Sequence, residues 1–147
     1  MNMNNAKNNH VPNRAARLKV LLVEDDPPVL RTIQTYLSRM RPEITVVTVD
    51  NGSDAGVKAA ELRPDLIILD IYIPGLNGFQ VCKSIREGPE LKQVKILAVS
   101  GKNNAQTKNS ILAAGADDFL GKPFLLGDLE EKIKQLLQHK SNGKSPA

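Results

Sequence analysis

Two short runs that are apolar at every position constrain the fold of this chain more than any other feature. They lie at residues 21–23 and 66–69. A strand with one solvated face alternates apolar and polar residues, whereas a parallel strand covered by helices on both faces is apolar throughout. The two runs therefore predict a parallel sheet between two layers of helices.

Extended and helical segments alternate along the chain. The strands are predicted at 19–23, 45–49, 66–70, 95–99 and 118–120. Helices are predicted from the apolar spacing of Leu30, Ile33, Leu37 and Met40, at 53–62, 79–86 and 105–114, and from the spacing of Leu126, Leu129, Ile133 and Leu136. Five strand–helix repeats indicate one doubly wound α/β domain with right-handed crossovers.

The charge distribution separates this domain from its two ends. The chain has 147 residues and a net charge of +4, but the two ends hold five of the 20 lysines and arginines and no acid, which leaves the body with a net charge of −1. We expect a disordered basic leader at 1–18, a domain at 19–139, and a flexible tail or linker start at 140–147. Three Phe, two Tyr and no Trp offer no evident surface for stacking bases, which disfavours nucleic-acid binding.

The same composition favours a soluble cytoplasmic protein. No apolar run approaches the roughly 20 residues of a membrane helix, and the Asn-rich start lacks the apolar stretch that is typical of a signal peptide. A single cysteine, Cys82, forms no internal disulfide, and its helical context predicts a packed side chain rather than a reactive thiol.

Carboxylates follow two of the buried strands. Glu24, Asp25 and Asp26 come directly after the first strand, and Asp70 ends the third. In an open parallel sheet the carboxyl ends of the strands form the ligand-binding edge. Like charges about 4 Å apart repel by roughly 1–4 kcal/mol, and a magnesium ion relieves that repulsion. The alternative is a solvated acidic turn at the start of the next helix, near Pro27.

A hydroxyl and an ammonium join the same edge. Ser100 ends the fourth strand and Lys122 follows the fifth. Taken singly, each is explained as a turn hydroxyl or a surface charge. Together with a carboxylate nucleophile and a metal they are the groups that phosphoryl transfer needs.

Four motifs make the sequence closely similar to the receiver domain of bacterial two-component response regulators. They are VEDDP at 23–27, DLIILDIYIPGLNG at 65–78, AVSG at 98–101 and GADDFLGKPF at 115–124, within a match over about 19–137. The steps of 45, 30 and 22 residues between Asp25, Asp70, Ser100 and Lys122 follow the family pattern without insertion. The resemblance implies a flavodoxin-like fold with strand order 2-1-3-4-5.

The resemblance also implies the site. Asp70 matches the phosphoacceptor, which takes a phosphoryl group from a phosphohistidine. Glu24 and Asp25 match the acids that hold magnesium with Asp70, and the backbone carbonyl of Tyr72 matches a further ligand. Lys122 matches the lysine that pairs first with Asp70 and then with the phosphoryl oxygens. Asp26, outside this set, is expected to be peripheral.

Other residues match the switch. Ser100 matches the hydroxyl that moves toward the phosphoryl group, and Phe119 the aromatic residue that fills the vacated space. Tyr72 and Lys102 match positions that tune hydrolysis of the acyl phosphate, and a bulky Tyr72 is expected to lengthen its lifetime. Glu24 for Asp, Ser100 for Thr and Phe119 for Tyr depart modestly from the family pattern.

The implied function is a phosphorelay switch that takes its phosphoryl group from a sensor histidine kinase or a histidine phosphotransfer protein. The sequence leaves open whether the protein is an enzyme. It favours a stoichiometric switch whose only reactions are autophosphorylation from small donors and autodephosphorylation. The readout surface would be helix 105–114, the last strand and the final helix, with mixed charges at Lys108, Asp117, Glu130 and Lys134. A downstream target, an output domain or a phosphorylation-dependent homodimer would read the change.

Three other functions fit this sequence less well. A phosphatase of the haloacid-dehalogenase type needs a second Asp where this chain has Tyr72, and a flavodoxin needs a phosphate loop that is not acidic. An inactive receiver is disfavoured because each site position holds a competent residue. The alternative that stays open is a receiver module cut from a longer regulator with a C-terminal output domain.

Overall fold

The fold is described from a computed structural model, which covers residues 17–41 and 43–141, with side chains up to residue 138. Its centre is a five-stranded, fully parallel sheet in the order β2-β1-β3-β4-β5, which confirms the predicted fold class and strand order. The strands are β1 Leu18–Val23, β2 Ile44–Val49, β3 Leu66–Asp70, β4 Lys95–Ser100 and β5 Asp118–Gly121. The leader predicted at 1–18 and the tail predicted at 140–147 lie almost entirely outside the described side chains.

Helices cover both faces of the sheet. They are α1 Pro27–Met40, α2 Gly52–Leu62, α3 Gly78–Glu87, α4 Ala105–Ala113 and α5 Leu126–Ser141, with a 3₁₀ turn at Pro89–Leu91. One core cluster packs α1 and α5 against the sheet, and the other packs α2, α3 and α4 against the opposite face. Across residues 17–41 and 43–141, no helix is long and apolar enough to cross a membrane.

The apolar runs sit where their pattern predicts. In β1, Val20 and Leu22 contribute to the α1/α5 cluster, while Leu21 and Val23 contribute to the opposite cluster. The same alternation continues through β3, whose residues 66–69 are fully buried. Cys82 is also fully buried, which confirms the predicted packed side chain, and burial raises the pKa of its thiol to about 11.

Asparagine caps start three helices at the carboxyl edge of the sheet. The side chains of Asn51, Asn77 and Asn104 accept hydrogen bonds from backbone N–H groups in the first turns of α2, α3 and α4. These bonds satisfy donors that the helix itself leaves free. The strand ends therefore pass into helices through short, well-bonded loops, which hold the site residues in place.

The side chain of Arg86 ties the opposite edge together. Its Nε donates to the Gly115 carbonyl at 2.9 Å, its Nη1 to the Val94 carbonyl at 2.7 Å, and its Nη2 to Asp117 Oδ2 at 2.7 Å. Asp117 Oδ2 also accepts from the backbone N–H of Ile96 at 2.8 Å. One guanidinium thus links α3 with the loops that lead into β4 and β5.

We expect Arg86→Met to lower the free energy of unfolding by about 2 kcal/mol, because it removes the guanidinium donor from several partly buried carbonyls and from the Asp117 carboxylate. Urea unfolding followed by circular dichroism measures this. Glu90→Gln is the matched control, since it breaks an exposed ion pair with Arg63 and should cost less than about 0.5 kcal/mol. Equal losses for the two variants would contradict a structural role of the Arg86 network.

Candidate functional site

Three carboxylates meet at the carboxyl edge of the sheet. Glu24 follows β1, where its backbone N–H donates to the Val49 carbonyl at 3.1 Å, and Asp70 is the last residue of β3. Glu24 and Asp70 are buried, whereas Asp25 is exposed. One carboxylate oxygen from each of the three lies within 4.8 Å of the others. The predicted acidic cluster is therefore present, and it concentrates negative charge in a largely desolvated place.

Lys122 bridges two of these carboxylates. Its Nζ donates to Asp70 Oδ2 at 3.0 Å and to Glu24 Oε1 at 3.1 Å. Its backbone N–H donates to the Ser100 carbonyl at 2.8 Å, which fixes the start of the β5–α5 loop against β4. The pairing with Asp70 was expected from the family pattern, but the pairing with Glu24 was not.

The pKa shifts reflect this crowding. Burial raises the pKa of Glu24, the Asp70 charge raises it further, and hydrogen bonding and attraction to Lys122 only partly offset these effects. Burial alone would lower the pKa of Lys122, but its contacts with Asp70 and Glu24 outweigh burial and raise it. The lysine is therefore held firmly as a cation, while the charge on Glu24 is disfavoured.

The three carboxylates differ in the hydrogen bonds that their oxygens accept. Glu24 Oε2 accepts from the backbone N–H of Asp26 at 3.2 Å, and Asp70 Oδ1 accepts from the backbone N–H of Tyr72 at 3.3 Å. The carboxylate of Asp25 makes no hydrogen bond or ion pair with any residue in the described part of the chain. Anionic carboxylate oxygens suit magnesium, which prefers oxygen ligands. The donor set therefore fits the predicted ion.

The acidic-turn alternative finds less support. Asp26 is the residue that precedes α1, but its side chain makes no capping hydrogen bond. Its carboxylate is exposed and does not belong to the cluster of three. The peripheral place expected for Asp26 agrees with this geometry.

Ser100 lies one strand away from Asp70, at the end of β4. It is fully buried, and its Oγ accepts from the backbone N–H of Lys102 at 2.9 Å. Neighbouring strands pair Ala98 with Phe119, and both residues belong to the cluster under α2, α3 and α4. Because side chains alternate along a strand, Ser100 points to that same face. Phe119 is buried in the core beneath this edge of the sheet.

Tyr72 and Lys102 join the loops that follow Asp70 and Ser100. The Nζ of Lys102 lies 5.0 Å from the centre of the Tyr72 ring, in a cation–π arrangement. The Tyr72 ring also meets Phe79 edge to face, with ring centres 6.2 Å apart. Sequence reasoning singled out Tyr72 and Lys102 but missed Phe79. Its position in the first turn of α3, seven residues beyond Tyr72, is the only local signal that points to it.

A depression of about 620 Å³ opens beside Lys122. Sequence reasoning did not predict it, because it forms between α1 and the loop after β5, which are distant in the chain. Its lining is mainly apolar and consists of Pro28, Val29, Thr32, Ile33, Gly101, Lys122, Pro123, Phe124 and Leu126.

The family model described as "Response regulator receiver domain" matches residues 20–134. The chain belongs to this family. A probable C4-dicarboxylate response regulator, DctR, from Halalkalibacterium halodurans is 36% identical over 118 residues, which is 80% of this chain and 50% of that protein. The transcriptional regulatory protein PrrA of Mycobacterium tuberculosis is 36% identical over 124 residues, which is 84% of this chain and 52% of PrrA. The chain thus spans about half the length of these curated relatives.

Solved receiver structures superpose closely on this chain. The receiver domain of the sensor histidine kinase PA1611 from Pseudomonas aeruginosa, with a magnesium ion coordinated in its active-site cleft, gives a TM-score of 0.76 at 28% identity, covering 84% of this chain and 99% of that one. The chemotaxis response regulator CheY4 of Vibrio cholerae gives 0.77 at 28% identity, covering 82% and 99%. These similarities confirm the receiver fold and the family resemblance.

We expect Glu24→Gln to raise the melting temperature of the metal-free protein at pH 7 by about 2–5 °C, through relief of roughly 1 kcal/mol of burial and repulsion. Because its folded pKa lies above the ordinary value of 4.5, the wild type should lose stability as the pH rises from 4.5 through that raised pKa. The variant should lack this loss.

Thermal unfolding in EDTA between pH 4.5 and 8 measures both effects. Asp26→Asn is the matched control and should leave the pH dependence unchanged. A lower melting temperature for Glu24→Gln at pH 7 would contradict the expected penalty.

Proposed function

We propose that this receiver domain is a phosphoacceptor switch in which Asp70 takes a phosphoryl group from the phosphohistidine of a sensor histidine kinase or a histidine phosphotransfer protein. The observation that carries the proposal is the shared contact of Lys122 with Asp70 and Glu24, inside a cluster of three carboxylates. A phosphatase or flavin-binding function has no comparable support at this edge.

The contacts of Asp70 suit transfer to its carboxylate. An Asp70 oxygen forms the new P–O bond as the P–N bond of the donor breaks, and the imidazole leaves with its electron pair. Lys122 already contacts Asp70. Its ammonium can therefore pair with the phosphoryl oxygens once the phosphoryl group is bonded to the Asp70 carboxylate. Positioning and charge neutralisation of this kind account for most of the catalysis of phosphoryl transfer.

We assign the metal site to Asp25, Asp70 and the Tyr72 carbonyl, with Glu24 as a more distant ligand, as the resemblance to receiver domains implies. When bound, magnesium would neutralise the oxygens of the incoming phosphoryl group. Asp25 is the carboxylate most open to an ion, since it is exposed and has no partner among the described residues. The magnesium-bound PA1611 receiver supports this assignment.

The switch is assigned to Ser100 and Phe119. The hydroxyl of Ser100 accepts from Lys102 and has its own proton available for a phosphoryl oxygen. Reversing a 1:99 equilibrium between two states takes about 5.5 kcal/mol of differential binding, which a phosphoryl group held by Lys122, Ser100 and magnesium can supply. Movement of Ser100 toward that group would open space that Phe119 can fill.

Two features bear on the readout surface formed by α4, β5 and α5. Asp117 is engaged by Arg86, and Glu130 accepts a hydrogen bond from the Tyr36 hydroxyl and pairs with Lys134. These acids are therefore already bonded within the domain, so a partner or a second copy would have to compete for them.

The donor is proposed to approach over the apolar depression beside Lys122, where Val29, Phe124 and Leu126 offer a surface for an apolar helix face. Leu125, 73% exposed, stands next to this surface.

The relatives named above include transcriptional regulators about twice as long as this chain, which supports the alternative that the receiver acts with a C-terminal output domain.

Incubation with magnesium and acetyl phosphate should add one phosphoryl group, detected by intact-mass spectrometry, because the site supplies the nucleophile and the charge compensation. Asp70→Asn should abolish the adduct, and EDTA should prevent it. Asp26→Asn is the matched control and should behave as wild type. An adduct that survives in Asp70→Asn would contradict the proposed acceptor.

Ser100→Ala should still accept the phosphoryl group but should lose most of the conformational response, because it removes the hydroxyl that links the phosphoryl group to the β4–α4 loop. Beryllofluoride added with magnesium should shift the amide NMR signals of α4 and β5 in the wild type and much less in the variant. Ser110→Ala, at an exposed position of α4, is the control. Full shifts in Ser100→Ala would contradict the switch role.

A further inference from the structure

We propose that Phe79 and Lys102 are positioning residues that hold the Tyr72 ring over the mouth of the site, and that both slow acyl-phosphate hydrolysis only through that ring. The inference rests on the proposed function, in which Asp70 carries the acyl phosphate. It adds Phe79 to the site and makes the three side chains one unit, rather than two positions that tune hydrolysis separately.

The loops that carry Tyr72 and Lys102 are anchored in the same way. Tyr72 lies two residues after Asp70 and its N–H donates to Asp70 Oδ1; Lys102 lies two residues after Ser100 and its N–H donates to Ser100 Oγ. Each loop is thus anchored to the reactive group that precedes it. The cation–π contact between Lys102 and Tyr72 closes the gap between the two loops.

Phe79 reaches Tyr72 because α3 begins unusually close to the preceding loop. The N–H of Gly78 donates to the Ile71 carbonyl at 2.7 Å, and a Cβ at Gly78 would lie 2.5 Å from the Ile71 Cα. Only glycine permits this approach. It brings the first turn of α3 against the residue before Tyr72, so that the Phe79 ring meets the Tyr72 ring at an interplanar angle of 73°.

Tyr72 needs such support because it is 46% exposed, and an exposed ring without neighbours samples several rotamers. Phe79 is itself packed on the core, so it gives the ring a firm neighbour. Lys102 supplies a second contact across the mouth. In the proposed arrangement, the ring held by these two contacts restricts access to Asp70, whose own side chain is only 8% exposed.

The step that the ring would hinder is hydrolysis. A water oxygen forms a bond to phosphorus as the bond from phosphorus to the Asp70 oxygen breaks, which releases inorganic phosphate and the free carboxylate, with the remaining proton passing to solvent. The ring acts by restricting where that water can stand, so its effect depends on how much of the time it is held in place.

The test follows loss of the phosphoryl adduct by intact-mass spectrometry after loading with acetyl phosphate and magnesium and rapid removal of the donor. Phe79→Leu and Lys102→Met should each raise the rate constant of hydrolysis by about two- to fivefold, and Tyr72→Ala by at least as much. Phe79→Tyr and Lys102→Arg keep the ring contact and the cation, and should restore rates close to wild type. Lys83→Met, an exposed lysine of α3, is the control and should change nothing.

The double variants decide whether the three residues act together. Adding Phe79→Leu or Lys102→Met to Tyr72→Ala should produce no further acceleration. Equal acceleration with and without Tyr72 would overturn the inference while leaving Asp70 as acceptor, because Phe79 or Lys102 would then act by another route. Unchanged decay in Phe79→Leu would overturn it as well. Absence of any adduct on the wild type would overturn the proposed function, and the inference with it.

Discussion

Burial of the central strands on both faces is the constraint from which the rest of the structure follows. Residues 66–69 of β3 are fully buried among apolar side chains, and Asp70 is the first residue of that strand to reach the carboxyl edge, where Lys122 pairs with its charge. The same holds for Glu24 after β1, while Ser100 ends β4. Since all five strands run parallel, their carboxyl ends share one edge of the sheet. The carboxylates, the hydroxyl and the ammonium that suit phosphoryl transfer therefore lie together at this edge.

The clustering of these groups gives this edge of the sheet an excess of negative charge. Three carboxylates cluster there, and among the described residues Lys122 is the cation that pairs with them, so its bridging contacts neutralise only part of the excess. This imbalance explains why burial and Asp70 together raise the pKa of Glu24, and why the site suits a divalent cation. In the proposed function, a phosphoryl group on Asp70 adds further negative charge, and redistribution of Lys122 and Ser100 around it couples the chemistry to the fold.

Much of this architecture could be predicted from local patterns. The apolar runs placed all five strands to within about one residue, and the helical spacing placed the helices nearly as well. The strand order came from the family resemblance, because periodicity does not say which strands are neighbours. Glu24 and Lys122 were both identified as site residues, but their mutual contact spans 98 residues of sequence and depends on where β5 docks. Phe79 was missed because its contact with Tyr72 depends on the tight packing of Gly78 on Ile71.

The sequence by itself determined the class of fold, the edge at which the site forms and the residue types that stand there, because strand burial and helix periodicity are local properties of the chain. Only the tertiary structure decided which of those groups touch. Packing brings together the segments that are joined by the Lys122 bridge, by the Arg86 network and by the contacts of Phe79 and Lys102 with the Tyr72 ring. Their distances depend on how whole helices and loops dock on the sheet, and no local pattern encodes that.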